Sequence, residues 1–267
     1  MIFRIVPIFA SLYLSFTDFS GFGKANFVGI SNYLRALTDS EFWNAVLKTS
    51  QFSAEVLPLN MIISLLLALL VNNSIRGVGI FRAIYYLPVI TPMVAASMIW
   101  IWLYDAQFGI LNYLLSLFNI QPINFLKDTK WALHSLVVMR VWRGVGWNML
   151  IYLAGLQGIP KFLYEAASID GATKFKRFLK ITLPLLRPVH IYVLIVGLAS
   201  TLQTFTEVYV MTGGGPLQST TTVGLLVYRT AFDYMNMGYA SAMSFILGII
   251  IMVLSIFSFM WGKRKEV

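Results

Sequence analysis

The sequence predicts an all-α polytopic membrane protein with about six transmembrane helices, and three observations carry that prediction. Apolar residues make up 58% of the 267-residue chain and charged ones only 12%, far from a soluble composition. Apolar windows near the roughly twenty residues that cross a bilayer core recur along its length. Basic residues fall in short runs between those windows, predominantly on alternate sides.

The windows lie at 52–71, 83–104, 131–156, 188–211 and 238–262. A sixth, at 5–17, is short enough to be either a signal peptide or the tail of a first span. Arg4 alone is a weak basic leader and Tyr13-Leu14-Ser15-Phe16-Thr17 offers no small-residue cleavage site, so a span is expected. Counting Lys and Arg on alternate sides sets the orientation. One side holds Arg4, Arg76, Arg82, Lys161, Lys174, Lys176, Arg177, Lys180, Arg187, Lys263, Arg264 and Lys265, the other Lys24, Arg35, Lys48, Lys127, Lys130 and Arg229. The basic side stays cytoplasmic, which puts both termini there. The stretches 21–48 and 108–126, on the opposite side, are expected to form short amphipathic surface helices.

Composition excludes much chemistry. There is no cysteine, so disulfides and thiolate sites are absent, and the two histidines, His134 and His190, lie in apolar stretches without nearby carboxylates. Both are expected to be packed or interfacial residues rather than metal ligands. The net charge of +9 is distributed as membrane-flanking runs, which argues against nucleic acid. No Gly-x-x-x-x-Gly-Lys-Ser/Thr phosphate loop occurs, and Gly213-Gly214-Gly215-Pro216 lacks the following lysine, so those glycines are expected to serve the chain's exit from the fifth span.

The segment 157–188 carries the strongest signal. Pro160 suits a helix start and Gly171 a left-handed helix end, predicting a short helix, a glycine turn and a second helix. Leu163, Ala166, Ala167 and Asp170 share one helical face; Phe175, Phe178, Leu179 and Thr182 form an apolar stripe on the second. Read by itself, this is either a shaped knob or a basic interfacial helix attracted to anionic lipid.

The spacing of Glu165, Ala166, Ala167, Gly171, Ile181, Leu183 and Pro184 resembles the cytoplasmic loop of permease subunits in binding-protein-dependent ATP-binding cassette importers. Leu153-Ala154-Gly155-Leu156-Gln157 with Ile159-Pro160, Asp170-Gly171-Ala172 and Met211-Thr212-Gly213-Gly214-Gly215-Pro216 look like the carbohydrate branch, of the maltose-transporter first-permease type. Arg82 to Pro92 and Gly238-Tyr239-Ala240-Ser241-Ala242 fit the same pattern. The resemblance implies a type I importer permease fold and a single transmembrane domain over 1–267, with 157–188 as its coupling loop. It implies a multi-pass protein of the bacterial plasma membrane, without catalysis of its own. The implied partners are a second, related permease, two ATPase subunits that bind the ATP and magnesium, and an extracytoplasmic sugar-binding protein; this chain would bind no cofactor. Coupling to the ATPase would fall on Glu165, Ala166, Ala167, Asp170, Gly171, Ile181, Leu183 and Pro184. The branch usually begins with a basic tail and a full first span, so the first helix here is expected to be truncated.

Polar residues inside spans face a bundle interior or a water-filled cavity. Arg140, Arg143, Gly144 and Trp147 share one face of the fourth span, with Asn148 beside them; Thr201 and Thr204 share a face of the fifth, with Thr206 adjacent. Similarity to maltose-type relatives maps sugar-contact regions onto these residues and onto Val89 and Met93. Two arginines there imply either an anionic sugar or pairing within the protein, for instance with Glu207. Two alternatives to carbohydrate import stand beside this reading. One keeps the ATP-driven scheme with an amino acid, polyamine or osmolyte as cargo. The other is an ion-coupled secondary transporter, which would need Glu55 or Glu207 as a functional carboxylate.

Overall fold

Helices occupy the place of every expected span, but two of the spans are broken. The computed structural model describes residues 2–72 and 77–263, so Arg76, Arg264 and Lys265, used above for orientation, lie outside the described residues. The long helices are α1 (Ile2–Ser15), α3 (Ser40–Asn72), α7 (Ala132–Gln157), α11 (Arg187–Leu202) and α14 (Met237–Lys263). Between them lie α2 (Ser31–Thr38), α4 (Val78–Ile90), α5 (Met93–Leu103), α6 (Ile110–Ser116), α8 (Lys161–Ile169), α9 (Lys174–Arg177), α10 (Leu183–Leu185), α12 (Thr206–Met211) and α13 (Val223–Tyr228). Among the described residues the extended pairing is limited to an isolated bridge, Thr17 with Phe27. By length and composition, Ser40–Asn72 and Met237–Gly262 each suffice to cross a membrane. Two interrupted pairs, Gly79–Ile90 with Met93–Leu103 and Lys174–Leu185 with Arg187–Leu202, also suffice when each is counted as one span.

The third expected span, 83–104, is thus not one helix but α4 and α5, separated at Thr91-Pro92. Proline donates no hydrogen bond and drives the preceding residue out of the helical region; Thr91 is extended at φ −69°, ψ 130°. The fifth, 188–211, also breaks, at Gln203 to Phe205, without a proline. There the Thr222 hydroxyl donates to the Thr204 carbonyl at 3.1 Å, and Phe205 leaves the helical region at φ −143°. Within 21–48 the expected short surface helix is α2, but the end of the stretch belongs to α3. Asp39 accepts the Glu41 amide at 2.8 Å and starts α3 at Ser40, so Phe42 is buried in a 33-residue helix rather than lying at an interface.

Cα packing divides the chain into two units. The first comprises Met1–Ala54, Met93–Leu136 and Ala199–Leu254. Its irregular segments are held by side chains that answer backbone groups. Asn32 donates to the carbonyls of Ser15 (3.0 Å) and Thr17 (2.8 Å), closing the end of α1. Asn112 donates to the carbonyls of Asp105 and Ile123 and accepts the Ile123 amide at 2.9 Å, fixing the loop after α5. In the triple-glycine turn, Gly213 and Gly214 take φ +54° and +86°, as expected of glycines at the end of a span. Thr212, Thr220, Thr221 and Arg229 bond around it.

The second unit comprises Glu55–Pro92, Val137–Leu198 and Ser255–Val267. Ala68, Val71, Met149, Tyr152, Leu153, Leu156, Ile159, Leu186 and Val193 form its buried cluster, drawn from α3, α7, α11 and the connecting segments. In lipid such packing gains dispersion rather than release of water, so close backbone approach matters. Gly155 meets the side chains of Val189 and Leu186, and Gly146 meets the Tyr85 carbonyl of α4. His190 accepts or donates through Nδ1 to the Tyr152 hydroxyl at 2.9 Å, a packed histidine as expected.

Two predictions follow from these contacts. A Cβ at Gly146 would sit 2.0 Å from the Tyr85 oxygen, backbone that cannot swing aside, whereas one at Gly248 would meet nothing within 4 Å. Gly146→Ala should therefore lower the thermal midpoint in detergent, by the equivalent of about 1–3 kcal/mol. Gly248→Ala, relieved of a helix-interior glycine, should leave it level or raise it. The second concerns Asp39. Burial pushes its carboxyl up, but the Tyr239 hydroxyl (2.6 Å), the Glu41 and Phe42 amides and the Arg35 charge together hold it below its ordinary value. A depressed carboxylate stabilises the fold above its unfolded value, and that stabilisation disappears as pH falls through the folded value. Asp39→Asn should flatten the acid limb of a melting-versus-pH profile below about pH 4; an unchanged limb would refute the pairing.

Candidate functional site: the helical elbow and the polar groups of the spans

The elbow after α7 is built from local signals. Pro160, extended at φ −60°, ψ 129°, precedes the first residue of α8. Gly171 takes φ +72°, where a side chain would be strained, and its amide donates to the Ser168 carbonyl at 3.1 Å while that of Ala172 reaches Ala167 at 2.9 Å. These two bonds close the helix as a Schellman turn. Thr173 then caps α9 by accepting the Lys176 amide at 3.3 Å. The second helix is not continuous: α9 passes through a π-helical turn, Phe178–Thr182, into α10, and the chain bends by 60° at Leu186 before α11.

What fixes the elbow to the second unit is Tyr164, which sequence reasoning passed over. Its ring packs on the buried cluster together with Leu163 and Ile181, and its hydroxyl pairs with that of Thr182 at 2.9 Å. Arg177 donates to the Ser168 hydroxyl at 2.5 Å, tying α8 to α9. Of the expected α8 face, Leu163 and Ala167 are half-buried, but Ala166 and Asp170 are exposed. Glu165 and Gly171 are exposed as well, Leu183 and Ile181 are half-buried, and Pro184 is exposed. Ile169 is 87% exposed and Phe175 70%, so the elbow presents apolar and acidic side chains that no described residue covers.

The span residues fall into groups within each unit. In the second, Asn148 donates to Asn60 Oδ1 at 2.6 Å, Ser64 donates to the same oxygen at 3.2 Å, and Asn60 Nδ2 reaches the Val141 carbonyl at 3.4 Å. Ser64 also donates to Val145 O, at 3.0 Å. Gly144 is the space into which the Asn60 amide fits, 2.6 Å from where a Cβ would be. Arg143 donates to the carbonyls of Val89 (3.5 Å) and Thr91 (3.4 Å). Arg140 is half-buried and engaged with another group of the chain, and Trp147 is 49% exposed. In the first unit, Thr201 is buried against Ser53, the hydroxyls 2.6 Å apart. Thr204 is also buried and donates to the Glu207 carboxylate at 2.5 Å; Thr206 and Met93 are half-buried. Asn60 was missed as a candidate, although an asparagine four residues before Ser64 in an apolar window is itself a signal.

A family model, the binding-protein-dependent transport system inner membrane component, matches residues 60–264. The chain belongs to this family. This permease is 37% identical over 270 residues to the trehalose/maltose transport system permease protein MalF of Thermococcus litoralis, covering all of this chain and 90% of that one. It is 35% identical to the lactose transport system permease protein LacF of Rhizobium radiobacter, over 99% of this chain and 90% of that one. To the sn-glycerol-3-phosphate transport system permease protein UgpA of Yersinia pestis it is 34% identical, with the same coverage. Among solved structures, a bacterial transporter importing the acidic polysaccharide alginate superposes with a TM-score of 0.87 at 22% identity, over 100% of this chain and 91% of that one. That likeness establishes the importer permease fold.

The permease's Asn60 cluster yields a test. Asn60→Leu keeps the branched outline but leaves the Asn148 amide without its acceptor and the Ser64 hydroxyl with only the Val145 carbonyl. The expected loss is about 1–3 kcal/mol in thermal stability, and the double variant Asn60→Leu/Asn148→Leu should recover part of it; equal midpoints for all three proteins would show the cluster to be idle.

Proposed function

We propose that this permease is one of two related membrane subunits of a carbohydrate importer. Two ATPase subunits, which bind ATP and magnesium, and an external sugar-binding protein complete the assembly. Support for a carbohydrate cargo comes from relatives named for trehalose/maltose and lactose at 35–37% identity along essentially the whole chain. The chain performs no bond-breaking step. It belongs in the inner membrane as a single permease domain, with both termini and the elbow on the cytoplasmic side.

The observation that carries the mechanism is the exposed, Schellman-closed elbow, braced by Tyr164 against the cluster that includes α7. A closing ATPase that grips α8 would transmit force to α7 through that bracing, and α7 holds Arg143, Gly144 and Asn148. Glu165 is the polar anchor of the docked helix, Ala166 and Ala167 allow close approach, and Asp170 and Gly171 shape its end. Ile181, Leu183 and Pro184 set the return path into α11. Further proposed cargo contacts are Arg140, Trp147 and Val89 in the second unit and Thr201, Thr204, Thr206 and Met93 in the first; alternating access follows the ATPase cycle.

Co-purification from membranes tests the docking. At equal abundance of the permease, Glu165→Lys and Gly171→Pro should each reduce recovered ATPase by about tenfold or more, the effect expected of a reversed charge or a broken turn at an interface core. Equal recovery in all three proteins would overturn the assignment.

A further inference from the structure

The end of α4 carries a backbone problem. Helix termination before Pro92 strips the last carbonyls of their N–H partners, and within a membrane no water takes their place. Side chains supply the answer. The Thr91 hydroxyl donates to the Leu87 carbonyl at 3.2 Å, and Arg143, reaching across from α7, donates through Nη2 to the carbonyls of Val89 and Thr91. At 3.5 and 3.4 Å each bond is long, but the guanidinium charge stands at the negative pole of α4 and serves both oxygens at once. The reach is set one turn further along α7, where Gly146 lets the two backbones approach at Tyr85. Arg143 is half-buried, and an arginine in a span persists when its charge is answered within the protein.

We propose that Arg143 is a positioning residue that caps the interrupted helix α4, its Nη2 holding these two backbone carbonyls. It acts on transport through Val89, whose carbonyl it holds; that last step rests on the cargo path proposed above, whereas the cap itself does not. The cap gives Arg143 a structural use in this span that needs no acidic sugar.

Hydrogen–deuterium exchange of the whole chain in lipid nanodiscs tests the cap without ATPase, receptor or sugar, so its outcome is independent of the transport reading. The proteins compared are the parent, Arg143→Lys, Arg143→Gln and Arg143→Met, with α14 peptides as the control for global folding. In the methionine variant the amides of Val89, Ile90 and Thr91 should exchange about tenfold faster, the size of one lost hydrogen bond to a charged group. Lysine, which keeps the charge, should restore most of the protection, and glutamine, which keeps only a donor, less. Equal exchange at those amides in the parent, glutamine and methionine proteins would overturn the proposal and return Arg143 to the cargo face, as would a lysine variant that behaves like methionine.

Discussion

In a bilayer every backbone N–H and C=O must find its partner inside the protein, and this constraint governs where the permease departs from straight helices. Each described departure within a span is matched by a polar side chain. Thr91 and Arg143 answer the carbonyls at the end of α4, and the Thr222 hydroxyl answers Thr204 where α11 stops. Asn60 does the converse work: it binds the intact helix α7 by a carbonyl and an amide side chain, at the one place where Gly144 leaves room. Polar residues in the spans are thus first of all structural partners. A role in recognising cargo has to be compatible with those existing bonds.

That ordering bears on how transport is driven. A force applied at α8 meets no flexible joint before α7, because Tyr164 and Leu163 pack on the same cluster as Met149, Tyr152 and Leu153. At the breaks, side-chain bonds from Thr91, Arg143 and Thr222 stand in for the helical ladder. Under the proposed coupling, a movement of α8 would reach α7 through this packing. The relatives carry different cargo by name, from disaccharides to glycerol phosphate, on a shared framework.

Much of this was legible in the chain itself, for reasons that differ by element. The spans were visible because lipid demands long apolar runs, and the elbow because Pro160, Gly171 and the Glu165-Ala166-Ala167 spacing are local signals read without tertiary context. The break at Thr91-Pro92 was written in the sequence as well, yet hydropathy across 83–104 is uninterrupted and masks it. The break at Gln203 to Phe205 carries no proline or glycine, and the side chain that answers it, Thr222, lies far along the chain. For the same reason the partners of Arg143 and Thr201 were not predictable: the first binds backbone and the second Ser53, and neither kind of pairing leaves a pattern at helical spacing.

The most direct test of the account is where the elbow points and what it touches. Because the chain has no cysteine, a single Ile169→Cys carries a photoreactive group without further changes, at a side chain that is 87% exposed. Irradiation of the assembled transporter should cross-link position 169 to the ATPase subunit, while the same group at Phe22→Cys, in the loop after α1, should leave the ATPase unlabelled. Capture of the ATPase from position 22, or only lipid adducts from position 169, would contradict the account.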